Sequence, residues 1–205
     1  MNIGALIPIR LKSERLPNKA LLDIAGKPAC YHLLDRVCDC KFIKTKRHVV
    51  VCTTTDNSDD ALVEAIETYG CSVFRGDEND IIKRFRDAME SFQFDYVVQA
   101  DGDDPVSATE YMDITMEELL ANSERDIVTV EGLPLGCATK SFSRKAIDKS
   151  LKITGRAVIK TTLIIIVTLI PLLFSEFSSI GQLGMLTIIS AIINYVLSFF
   201  FVWCF

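Results

Sequence analysis

The distribution of charge along the chain constrains its fold more than any other feature. The last fifty of the 205 residues carry only Arg156, Lys160 and Glu176 as charged side chains. Residues 1–155 hold the remaining 20 Lys and Arg and 26 Asp and Glu, a net charge of −6. The chain average of 49% hydrophobic and 24% charged residues resembles an ordinary globular domain, yet neither part has that composition. The asymmetry predicts an acidic N-terminal domain over residues 1–152 and an apolar tail over 153–205. It excludes a disordered chain, a collagen and a small disulfide scaffold, and argues against a purely soluble single domain. No nucleic-acid partner is expected, because an acidic surface gains nothing from counterion release.

The tail reads as a transmembrane helical hairpin. Residues 157–174 and 183–204 each approach the length of about 20 residues that spans a bilayer core. The connection 175–182 holds Glu176, three serines and Gly181, and Pro171 is a kink that membrane helices tolerate. Trp203 and Phe205 suit an interfacial belt, while Arg144, Lys145, Lys149, Lys152 and Arg156 place the preceding flank in the cytoplasm by the positive-inside rule. The expected location is therefore a membrane anchor with the N-terminal domain in the cytoplasm. The competing reading is a buried core hairpin, which a soluble domain of this size could hardly cover.

The front of the chain alternates strand-like and helix-like segments. Residues 2–9 form an apolar run ended by Pro8, too short for a signal peptide and suited to a central parallel strand. Helices are expected at 28–40, from about Thr55 to Tyr69, at 78–91, 108–121 and 143–151. Strands are expected at 48–53, 71–74, 95–100, 126–130 and 137–142. Such alternation predicts an α/β fold with a mostly parallel sheet. The seven cysteines, odd in number and without a Cys-x-x-Cys, read as small buried side chains in a reducing compartment. His32 and His48 have no metal-ligand spacing.

Residues 10–27 form a long polar loop, and loops of that length are usually functional. The loop leaves the carboxyl end of the first strand, where ligands sit in open α/β sheets. It carries Arg10, Lys12, Arg15 and Lys19 in an otherwise acidic domain. Guanidinium groups offer forked donors to phosphate oxygens, and lysine adds a point charge. A polyphosphate ligand and a merely solvated charged loop both remain open from charge alone.

The pattern Pro8-x-Arg10-x-x-Ser13-x-Arg15-x-Pro17-x-Lys19-x-Leu21, followed by Gly26-Lys27-Pro28, resembles the nucleotide-binding loop of sugar cytidylyltransferases. That family includes CMP-KDO synthetase, CMP-sialic acid synthetase and the spore-coat polysaccharide SpsF group. Thr53-Thr54-Thr55 with Asp59-Asp60, Phe74 to Phe85, Gln99 to Pro105, and Leu133 to Ser143 are similar to further family segments in the same order. The resemblance covers about residues 2–150. It implies a Rossmann-like nucleotide-diphospho-sugar transferase fold and an enzyme that transfers CMP from CTP to an acidic sugar, releasing pyrophosphate, for surface polysaccharide. It assigns catalytic roles to Arg10, Lys19 and Asp103. Nucleotide contacts fall to Pro8, Arg10, Ser13, Arg15, Lys19, Gln99 and Ala100, and Mg²⁺ to Asp103.

Two departures qualify the resemblance. Ala138, Thr139 and Lys140 stand where the SpsF group usually carries a glutamate. The family also continues for roughly ninety residues past this point, with a second metal carboxylate and the usual dimerisation arm, so the domain reads as C-terminally truncated. A homodimer is compatible with the family but lacks that arm here. The tail itself resembles the last two transmembrane helices of RND-superfamily exporters. The alternative reading is an inactive nucleotide-binding fragment fused to an exporter-type hairpin, or a fragment of such a membrane protein.

Overall fold

A computed structural model describes residues 1–13, 16–122 and 124–150. The chain divides into units at Met1–Ile147 and Asp148–Phe205, and the first contains the sheet described next. The expected hairpin, 157–174 and 183–204, lies outside the described residues. Among the described residues no helix is long and apolar enough to cross a membrane.

The core is a six-stranded sheet. Its strands in chain order are β1 (Ile3–Pro8), β4 (Val49–Thr54), β5 (Ser72–Gly76), β6 (Tyr96–Gln99), β7 (Ile127–Thr129) and β8 (Lys140–Ser143). A small separate hairpin pairs β2 (Asp23–Ile24) with β3 (Lys27–Pro28). The helices are α1 (Ala29–Cys38), α2 (Asp60–Tyr69), α3 (Ile81–Ser91) and α4 (Thr109–Ala121), and residues 144–150 are also helical. The sheet order is β5-β4-β1-β6-β8-β7. The first four strands are parallel, whereas β8 runs antiparallel to both β6 and β7. The α/β, mostly parallel fold is therefore present.

Continuous apolar runs explain why β1 and β4 lie in the middle. A strand covered on both faces gains from Ala5, Leu6, Ile7 and Val49 to Cys52 all being buried. One face packs against Leu33, Leu34 and Val37 of α1, and against Met112, Met116 and Leu119 of α4. Phe85 of α3 meets Phe142 of β8, with ring centroids 6.3 Å apart. Gly4 admits the Phe94 ring, which a Cβ there would strike. Cys30, Cys40, Cys52 and Cys71 are buried. Burial pushes the thiols of Cys30, Cys40 and Cys52 up to about 11, 12 and 12, which leaves them poor nucleophiles.

Successive strands are added on one side of β1, to β4 and β5, before the chain crosses to β6 on the other side. That reversal opens a crevice at the carboxyl ends of β1 and β6.

Candidate active site

The crevice holds a cleft of about 710 Å³. Its first wall is the chain leaving β1: Pro8, Ile9, Arg10 and Ser13, with Lys19 further along. Its second wall is the turn after β6, Asp101, Gly102 and Asp103. Its floor comes from the segment entering α3, where Glu78, Asn79, Ile81 and Arg84 face the cavity.

Backbone hydrogen bonds fix the first wall. Ile9 N donates to Cys52 O at 3.3 Å, and both Ser13 N and Asn18 N donate to Leu11 O, at 2.9 and 3.0 Å. The buried Asp59 carboxylate anchors the start of the loop. It accepts from Leu11 N at 2.7 Å, from the Thr53 hydroxyl at 2.8 Å, and from Thr54 through both its amide at 3.2 Å and its hydroxyl at 2.5 Å. Burial alone would raise the Asp59 pKa, but these donors outweigh it and hold the group below the usual carboxylate range.

The two walls touch through main chain. A Cβ on Gly102 would run into the Pro8 carbonyl oxygen and Ile9 Cγ1, so only glycine permits this approach. Lys19 Nζ then bridges the walls at 2.7 Å from Asp103 Oδ2. Gln99 Nε2 donates to Asp101 Oδ1 at 2.9 Å, and Asp104 N closes the turn on Asp101 O at 3.0 Å.

Arg84 shapes the floor. Its guanidinium is buried and donates to the carbonyls of Asp77 (2.8 and 2.6 Å), Glu78 (3.2 Å) and Cys52 (3.4 Å). Asp77 turns the chain by accepting from Asn79 N and Asp80 N, and Asp80 caps α3 by accepting from Lys83 N at 2.9 Å. Burial lowers the Arg84 pKa, and the positive field of Arg10 lowers it further. The cleft thus sets two guanidinium groups near each other, an arrangement that favours a multiply charged anion.

Of the residues expected from sequence, Pro8, Arg10, Ser13, Lys19 and Asp103 all line this cleft. Gln99 and Ala100 are buried at the end of β6; Gln99 reaches the cleft only through Asp101, and Ala100 packs in the core. Arg15 lies outside the described residues. Asp59, Arg84, Gly102 and the Glu78–Asn79 turn were given no role by sequence. Arg84 had a legible signal, because it shares the core-facing spacing of Phe85, Ala88 and Met89 on a helix.

The carboxylates suit a hard divalent cation. Asp104 is held above the usual carboxylate range by burial and then by the negative fields of Asp103 and Asp101, a local excess that a cation would relieve. Among the described residues no three His, Cys, Asp or Glu side chains converge on one point. One or two carboxylates with remaining positions left to water and phosphate is a donor set that Mg²⁺ accepts.

The cytidylyltransferase family profile matches residues 4–164, most of the chain. The chain belongs to the cytidylyltransferase family. Among curated relatives of this chain, an uncharacterised protein of Methanocaldococcus jannaschii is 34% identical over 152 residues, covering 74% of the chain and 61% of the relative. The 3-deoxy-manno-octulosonate cytidylyltransferase of Pelobacter propionicus is 29% identical over 133 residues, covering 64% and 49%. A solved cytidylyltransferase from Leptospira borgpetersenii superposes with a TM-score of 0.69 at 31% identity, covering 74% of this chain and 64% of that one. The chain thus spans about half to three fifths of the length of these two curated relatives.

Proposed function

We propose that the chain transfers CMP from CTP to the hydroxyl of an acidic sugar, with release of pyrophosphate. The observation that carries this reading is the pairing of an anion-binding wall, Arg10, Ser13 and Lys19, with a carboxylate wall, Asp101 and Asp103, across one cleft. Phosphoryl-type transfer depends mostly on positioning and on neutralising charge, and these walls offer both. Family membership and the likeness to a 3-deoxy-manno-octulosonate cytidylyltransferase support the same reaction.

On this reading Arg10 and Lys19 hold the triphosphate, Ser13 donates to a phosphate oxygen, and Asp103, with Asp101 beside it, holds Mg²⁺. When bound, the cation would neutralise charge on the phosphates. Arg15 extends the phosphate loop. The segments 157–174 and 183–204 tether the domain to the cytoplasmic face of a membrane, a reading that rests on their hydropathy and on the cationic flank before them.

The test is pyrophosphate release by the full chain with CTP, Mg²⁺ and a panel of acidic sugars. Release that needs both CTP and an acidic sugar supports the proposal. A folded chain that binds CTP yet releases nothing across the panel favours the truncated, inactive reading. Partition of the whole chain into membranes, against solubility without detergent, tests the tether.

A further inference from the structure

Lys140 opens β8 and is the cross-strand partner of Gln99. Opposed residues on antiparallel strands share a face, with Cβ atoms about 5 Å apart. The face is the one covered by α3, because Phe142, two residues on from Lys140, meets Phe85. From that contact both elements step toward the cleft. Ile81 is one helical turn before Phe85, Lys140 is one strand repeat before Phe142, and each step is roughly 6 Å. Ile81 lines the cleft, so Lys140 stands at the same level on its β8 side, next to the Gln99–Asp101 contact.

The sheet order β1-β6-β8 therefore sets three features in a row: the phosphate loop, the carboxylates and Lys140. In an in-line displacement the attacking oxygen lies across the reacting phosphorus from the leaving pyrophosphate. With the triphosphate held from the β1 side, the acceptor falls toward β8. Lys140 is partly buried, and no ion pair found among the described residues involves it. A cation at the edge of a low-dielectric sheet discriminates by charge more sharply than one in open water.

Resting on the transfer reading above, we propose that Lys140 is a specificity-determining residue that receives the carboxylate of the acceptor sugar. Equilibrium binding of 3-deoxy-manno-octulosonate and of its uncharged carboxamide, to the full chain saturated with a non-hydrolysable CTP analogue, tests this. The wild type binds the acid at least about tenfold more tightly than the amide. Lys140→Gln abolishes that preference, Lys140→Arg preserves it, and both bind the CTP analogue as the wild type does. A preference unchanged in Lys140→Gln overturns the inference, as does parallel loss of CTP-analogue binding or binding of neither sugar form by the wild type. Pyrophosphate release, measured separately, reports on the transfer reading alone. A chain that binds the acid through Lys140 but releases no pyrophosphate keeps this inference and removes that one.

Discussion

Lys19 Nζ lies 2.7 Å from Asp103 Oδ2, so the loop after β1 and the turn after β6 are joined by an ion pair across the cleft. Both side chains are partly exposed, at 36% and 54%, and exposed pairs of this kind contribute little to stability. The pair would therefore open at small cost if a phosphate offered Lys19 a new partner and a cation offered one to Asp103, as the proposed function requires. Lys19→Met is expected to weaken CTP binding by about tenfold or more through loss of a charge-assisted contact. Removing the ammonium also removes a competitor at Asp103, so Mn²⁺ alone should bind that variant several-fold more tightly. Calorimetry with CTP and electron paramagnetic resonance with Mn²⁺ read the two effects independently.

Arg10 and Arg84 face the same cleft but should respond differently to substitution. Arg10 is exposed, so Arg10→Ala should leave the melting temperature nearly unchanged while lowering pyrophosphate release by about 10²–10³-fold. Arg84 is buried and satisfies three carbonyls. Arg84→Met should cost about 3 kcal/mol in urea unfolding, because those carbonyls lose their donors. Arg84→Lys should not restore it, since a point charge cannot reproduce the fork.

Asp59→Asn tests how the loop after β1 is anchored. An amide nitrogen cannot accept the donors that converge on the carboxylate, and the expected loss is about 2–3 kcal/mol at pH 7. The folded-state pKa of Asp59 is depressed. Its stabilisation is therefore fully present above the unfolded value near 4 and lost as pH falls through the lower folded value. The gap in melting temperature between wild type and Asp59→Asn should be full at pH 7 and narrow below about pH 4. Because Leu11 N loses its acceptor, the KM for CTP should rise more than kcat falls.

Gly102→Ala is the backbone counterpart. The added methyl must displace the Pro8 carbonyl or the β6 turn. The expected cost is about 1–3 kcal/mol in stability, as for other overpacked sites. The expected loss in kcat/KM exceeds tenfold, because reacting groups tolerate little misplacement. Thermal melts and steady-state rates on the same preparation separate the two.

The sheet was legible because β1 is apolar throughout, β4 is apolar from Val49 to Cys52, and the intervening helix has clear amphipathic spacing. Several boundaries moved for local reasons. The helix expected from residue 78 starts at Ile81, because Asp77 and Asp80 spend their side chains on a turn and a cap. The β2–β3 hairpin inside the long loop carried no pattern, since two-residue strands are too short to alternate, and its turn relies on positive φ at Ala25 and Gly26. In the site, Arg10 and Lys19 were readable as cations on the loop after the first strand, whereas Ser13 and Asp103 were readable through the resemblance to the family's motifs. Asp59 was not, because nothing in Ser58-Asp59-Asp60 says which carboxylate is buried. That depends on Leu11, 48 positions away in sequence.

The contact of Gly102 with the Pro8 carbonyl makes the cleft a ruler cut in main chain. The span between the groups that attract anions and those that attract cations is set by peptide geometry, not by the reach of flexible side chains. Adding or deleting one residue between Pro8 and Ser13, or between Gln99 and Asp103, would shift one set of marks against the other. Side-chain chemistry along the walls can therefore diversify, while the lengths of those two short segments cannot.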